Sequence, residues 1–221
     1  MNIVLILIEM IIAALFTLIA YKKYRYEGLY LYCIIAYILS IVISVKNIEL
    51  LNVEIPLGIV FITSIYIVSN LLVQNKGLES AKKLFNLLFI TGVSFVTIAI
   101  LGFSLTSFDT SFIPDVYSLM FMNKIRIVLT TACVPFVVLW LNANSYYFLK
   151  REKNNLIISN AFTSLAIFFI DAIIFSLISF IYVLPINEIF VIILLIYIIK
   201  IMMGIIGIPL AYIVRIMKDN K

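Results

Sequence analysis

Asp171 and Lys200 are the residues in this chain whose type and position most clearly invite chemistry. Each stands near the middle of a long apolar run, Leu156–Leu184 and Ile186–Val214. Counted from the polar flanks at Asn155 and Arg215, each lies about 15 residues in, which at ~1.5 Å per residue is roughly 22 Å from the same membrane face. The link between the runs is short, around Pro185–Glu188. It predicts antiparallel neighbours whose carboxylate and ammonium neutralise each other. Charges inside a membrane usually face the bundle interior or a water-filled cavity and mark a pathway. The plainer alternative is an ion pair that only fixes helix register.

Other polar residues punctuate the apolar runs. Glu9 sits midway along the first, where it either meets a partner on another helix or is protonated, because burial raises a carboxyl pKa. Asn70 and Gln74, four apart, share one helix face. Asn142 and Asn144 lie toward one end of a later run, and Asn160 and Thr163 toward the same end of the next. Arg126 precedes Thr130 and Thr131 by about one turn. Threonines in such helices often bond back to the preceding turn, whereas amides more often bond across helices. Together the amides predict either a polar cavity for a neutral, hydrogen-bonding solute or interhelical glue.

The elements that hold these residues follow from composition. The chain has 221 residues, 65% hydrophobic and 12% charged. A soluble domain shows about 45–50% apolar and about 25% charged residues. The expected fold is all-α, a polytopic helical membrane bundle. Runs of roughly 20 apolar residues are long enough to span a bilayer. Seven occur: Asn2–Tyr21, Leu29–Val45, Ile55–Val73, Leu84–Leu105, Ile125–Leu149, Leu156–Leu184 and Ile186–Val214. The first is read as a span and not a signal peptide, because its positive charges follow it. Gly204, Gly207 and Pro209 predict a kink or a hinge in the last run.

Basic residues alternate between sides. Lys22, Lys23 and Arg25, then Lys76, Lys82 and Lys83, then Lys150, Arg151 and Lys153, then Arg215, Lys218 and Lys221 fall on one side. Lysine and arginine excess marks the cytoplasm, so the expected topology is N-terminus outside and C-terminus inside, multi-pass in the plasma membrane. Thr106–Lys124 is the one long connection. Net charge is +5, but it is spread over short loops, which signals topology and not nucleic-acid binding. Cys33 and Cys133 have neither metal-site nor disulfide spacing. The absence of histidine excludes His-based catalysis and His-ligated metals. No zinc motif, nucleophile elbow or Gly-rich phosphate loop points to an enzyme. No cofactor is expected. The partners are the lipid bilayer and a small-molecule substrate, with a homo-oligomer left open and no nucleic acid.

From Ser44 to Val214 the chain resembles the VUT family of vitamin uptake or queuosine precursor transporters. Pro56-Leu57-Gly58-Ile59 through Tyr66-Ile67, then Gly77 and Ala81, is similar to one family segment, with Asn47 before it. Arg126 with Thr131, then Thr163, Asp171 and Phe175, then Tyr197, Lys200, Pro209 and Tyr212 resemble three more. The resemblance implies an extra N-terminal helix and basic loop, residues 1–28, followed by a six-helix transmembrane domain, residues 29–221. It also implies uptake of a deazapurine such as 7-cyano-7-deazaguanine, with Asn70, Gln74, Arg126, Asn142, Asp171 and Lys200 as substrate-binding residues. The chain departs from the family pattern at Asn70, Gln74 and Asn142, usually acidic, and at Leu139 and Phe168, usually amides. Two other functions compete: the substrate-binding component of an energy-coupling-factor transporter, and a non-transporting membrane interaction protein.

Overall fold

The computed structural model describes residues 2–51, 53–104, 124–153 and 156–219. The connection expected over Thr106–Lys124 lies almost wholly outside them. The described chain folds as α1 (Asn2–Ile43), β1 (Asn47–Leu50), β2 (Val53–Pro56), α2 (Ile59–Lys76), α3 (Leu78–Ser104), α4 (Ile125–Lys153), α5 (Leu156–Phe180) and α6 (Ile186–Asp219). Among the described residues, six helices are long and apolar enough to cross a membrane. The protein is an all-α, multi-pass membrane bundle.

The first two expected spans are the two arms of α1. Helical structure continues through the basic stretch and breaks at Arg25, whose φ is 54° and ψ −132°. A non-glycine residue held there costs about 1–3 kcal/mol. Arg25 offsets this by donating to the Met217 carbonyl at 2.8 Å, in the last turn of α6, and by lying over the Tyr21 ring. Beyond the break the arms fold back on each other. A Cβ at Gly28 would stand 2.1 Å from the Ala20 carbonyl oxygen, so only glycine permits this approach. Lys150 plays a related part elsewhere at this basic end, donating to the Gln74 carbonyl at 2.6 Å in the last turn of α2. Both cations satisfy carbonyls that a helix C-terminus leaves without partners.

The opposite end carries an antiparallel hairpin of β1 and β2, with Ile48 facing Ile55 and Glu49 facing Glu54. Ile55 and Pro56, expected to begin a span, belong to its second strand, and the span begins at Ile59. Asn2 ties the start of α1 to this hairpin by donating to the Glu49 carbonyl at 2.8 Å. Leu57 and Gly58 then turn the chain into α2, with Gly58 at φ 96°. A Cβ on Gly58 would lie 2.7 Å from the Ser40 carbonyl oxygen, so the turn is pressed against the second arm of α1.

Helix α2 runs through the middle of the bundle and is buried along most of its length, packed by α1, α3, α4 and α6. Helix α3 lies at the rim with most of its surface outward. It starts at Leu78, earlier than expected, so Lys82 and Lys83 sit on its first turns and not in a loop. Helix α6 continues through Pro209 to Asp219. Gly204 and Gly207 let it approach Phe168 of α5 and Ile67 of α2, where a Cβ would lie 3.0 and 2.9 Å from those side chains.

Candidate functional site

Helices α5 and α6 are joined by a turn over residues 181–185 and pack as antiparallel neighbours. Asp171 and Lys200 face each other across this contact. The Lys200 ammonium donates to Asp171 Oδ2, with the two side chains 4% and 2% exposed, respectively. The other ion pairs among the described residues, Lys82–Glu79 and Lys83–Glu27, are exposed, and exposed pairs typically contribute only about 0–1 kcal/mol. A buried pair differs in kind. Removing one partner leaves an uncompensated charge and costs about 3–5 kcal/mol. An ammonium has three N–H donors. Asp171 is the one hydrogen-bond acceptor that meets Lys200 among the described residues.

A cavity of about 20 Å³ opens beside the pair. That is room for about one water, so this conformation leaves no space for a larger solute beside the pair. Its walls include Leu57, Gly58, Thr131, Pro135 and Phe175. Pro135 lies inside α4. Lacking an N–H, it leaves the carbonyl four residues earlier, that of Thr131, without its helical donor. The Thr131 hydroxyl proton is already given to the Ile127 carbonyl at 2.8 Å. This wall of the cavity therefore offers acceptors and no donors. Pro135 is a site residue absent from those expected above, although a proline within an apolar run is itself a signal of freed backbone.

The amides form a second polar layer. Asn142 of α4 donates to Asn70 Oδ1 at 2.9 Å and to the Tyr66 carbonyl at 3.1 Å, both on α2. Asn70 Nδ2 reaches Asn160 Oδ1 of α5 at 3.5 Å. Asn144 is not part of this layer and bonds back to the Trp140 carbonyl at 2.7 Å. Asn142 Oδ1 and Gln74 Oε1 are buried acceptors without a hydrogen-bond partner. Thr163 bonds back to the Ser159 carbonyl, as Thr130 does to that of Arg126.

Tyr66 connects the layers. Its carbonyl accepts from Asn142, and its fully buried ring carries the hydroxyl to the Asp171 carboxylate without forming a well-made hydrogen bond. Phe168 packs against this ring at 6.3 Å between centroids.

Of the six expected site residues, the structure joins Asp171 to Lys200 and Asn70 to Asn142. Gln74 belongs to neither pair, and its backbone carbonyl holds Lys150. Arg126 is not a wall of the cavity at the ion pair. It donates to the Ile181 carbonyl just beyond the end of α5. Cys33 is buried, whereas Cys133 is on the outer surface of the bundle. No group of acidic or cysteine residues among those described is placed to hold a metal.

A family model described as putative vitamin uptake transporter matches residues 56–214. That interval takes in the Leu57–Gly58 turn, the amide layer and the ion pair, and leaves out α1 and most of the β-hairpin. No curated protein and no solved structure matches the chain.

Proposed function

We propose, from the premise that this chain belongs to the putative vitamin uptake transporter family, that it takes up a small planar solute, a deazapurine queuosine precursor or a vitamin-like compound. One observation carries the reading: a buried Asp171–Lys200 pair with spare donor capacity stands at a small cavity within the bundle. Burying two charges costs several kcal/mol per ion, and a well-packed apolar pair of similar volume often does as well or better. Charged residues in membrane helices more often mark a pathway than a scaffold.

The neighbouring groups suit the edge of a heterocycle. The freed Thr131 carbonyl beside the pair is an acceptor for a ring or amino N–H, and Lys200 is a donor for a carbonyl, while Asn142 Oδ1 and Gln74 Oε1 are further acceptors away from the cavity. A cavity with room for about one water does not admit such a ring. Entry therefore requires the helices around the pair to part, as alternating access demands. On this reading the chain lies in the plasma membrane with its N-terminus outside, by the lysine and arginine excess of its loops. A reporter fused after Lys153 is expected to read as cytoplasmic and one near Asp109 as external. Residues 1–28 are read as an addition to a six-helix transporter core over 29–221.

The test is uptake in cells lacking their own route. The protein is expected to accumulate 7-cyano-7-deazaguanine or a member of a vitamin panel above vector controls, and Asp171→Asn to weaken that accumulation. Failure of every compound, with the protein shown to be in the membrane, favours a second reading. The bonding of Asn70 and Asn142 to each other supports it: a non-transporting membrane protein in which the amides are interhelical glue.

A further inference from the structure

Glu9 is the acidic residue inside the first arm of α1, and among the described residues it has no ion pair. It faces a cavity of about 10 Å³ whose walls include Leu57, Gly58, Ile59 and Ile199. Leu57, Gly58 and Ile59 are also walls of the cavity at Asp171 and Lys200. One turn of chain thus stands between the half-buried Glu9 carboxylate and the buried Asp171 carboxylate. Helix α6 touches both sides of it, with Ile199 toward Glu9 and Lys200 toward Asp171. The remaining walls on the Glu9 side are apolar, from Ile6 of α1, the β-hairpin and α2, so no other titratable group faces it there. On the Asp171 side the titratable groups are Lys200 and Tyr66.

The geometry points to a three-group proton site, in which Lys200 exchanges between Asp171 and Glu9 when the Leu57–Ile59 turn withdraws. Two carboxylates and one ammonium carry a net charge of −1 if all are ionised. Buried charge of that kind is costly and is removed by taking up a proton. In the conformation seen, Lys200 pairs with Asp171, and Glu9 is the carboxylate left to hold the proton. Withdrawal of the turn merges the two cavities. Glu9 then gives up its proton and accepts the Lys200 N–H, and the released Asp171 carboxylate takes a proton from the merged cavity. One proton is bound before and after. Gly58, at φ 96° and packed on the Ser40 carbonyl, is the residue about which the turn moves. The inference rests on the transport reading of the ion pair, but its test uses no solute, so an unidentified substrate does not affect it.

Dicyclohexylcarbodiimide, an apolar reagent, attaches to protonated carboxyl groups in membrane interiors. Labelled wild-type protein is weighed intact to count adducts per molecule, and a portion is digested to place each adduct by mass spectrometry. Exchange predicts adducts at Glu9 in some molecules and at Asp171 in others. It predicts no molecule carrying both, because Lys200 always protects one. Lys200→Met is expected to produce the doubly labelled species. Label confined to Glu9 in the wild type, label at neither residue, or double labelling with Lys200 in place each overturns the proposal. The wild-type result stands whether or not the variant folds.

Discussion

The Asp171–Lys200 pair and the Asn70–Asn142–Asn160 layer are both buried and polar, both bridge helices, and share Tyr66, yet they are built differently. In the amide layer each group is neutral, and donors meet acceptors on neighbouring helices. Losing one bond there costs what a hydrogen bond in a membrane protein costs, on average about 0.6 kcal/mol. In the pair, one carboxylate and one ammonium are held out of solvent beside a cavity, and neither tolerates the loss of the other. The amides largely satisfy one another across helices, with Asn142 Oδ1 left over as an acceptor. The pair is a costly way to fix helix register, and its cost makes sense where charge is used.

That contrast makes its largest prediction at the pair. Asp171→Asn or Lys200→Met alone is expected to destabilise the protein by about 3–5 kcal/mol, and the double substitution to recover much of the loss, measured as thermal unfolding in detergent. Additive losses would remove the distinction between the layers. Gly58→Ala is expected to cost less, about 1–3 kcal/mol, because a positive φ and contact with the Ser40 carbonyl both oppose a side chain. A neutral result would show that the turn already yields in the resting protein. Asn142→Leu should cost the least, about 1–2 kcal/mol for two lost bonds. A loss as large as at the pair would make the amide layer equally critical. Asn70→Asp with Gln74→Glu puts carboxylates in and next to the amide layer. It is expected to shift uptake toward deazaguanines, read by competition between labelled and unlabelled solutes.

The sequence shows the pair well because a charge in an apolar run has no neighbours to hide among, and equal depth on adjacent helices constrains the partner. It shows the amide face for the same reason, but not its outcome. Whether Asn70 meets a solute or Asn142 depends on how α2 and α4 rotate, which no single run encodes. The β-hairpin was written in the alternation of Ile48-Glu49-Leu50 and Val53-Glu54-Ile55. It was obscured because Ile55 and Pro56 lead directly into the apolar run of α2. The break at Arg25 fell inside a charged stretch read as loop, where helical structure in fact continues on both sides. The bridging position of Tyr66 rests wholly on tertiary contacts with α4 and α5.

The most direct test of the central claim, that the pair works in transport and does more than hold helices, is uptake by the Asp171→Asn/Lys200→Met double variant. The measurement is made in cells where the folded variant reaches the membrane at wild-type abundance, using the solute that the wild type accumulates. The predicted result is a stable protein with uptake reduced to the vector level. Uptake equal to the wild type would show that the pair is only structural and that the substrate pathway lies elsewhere in the bundle.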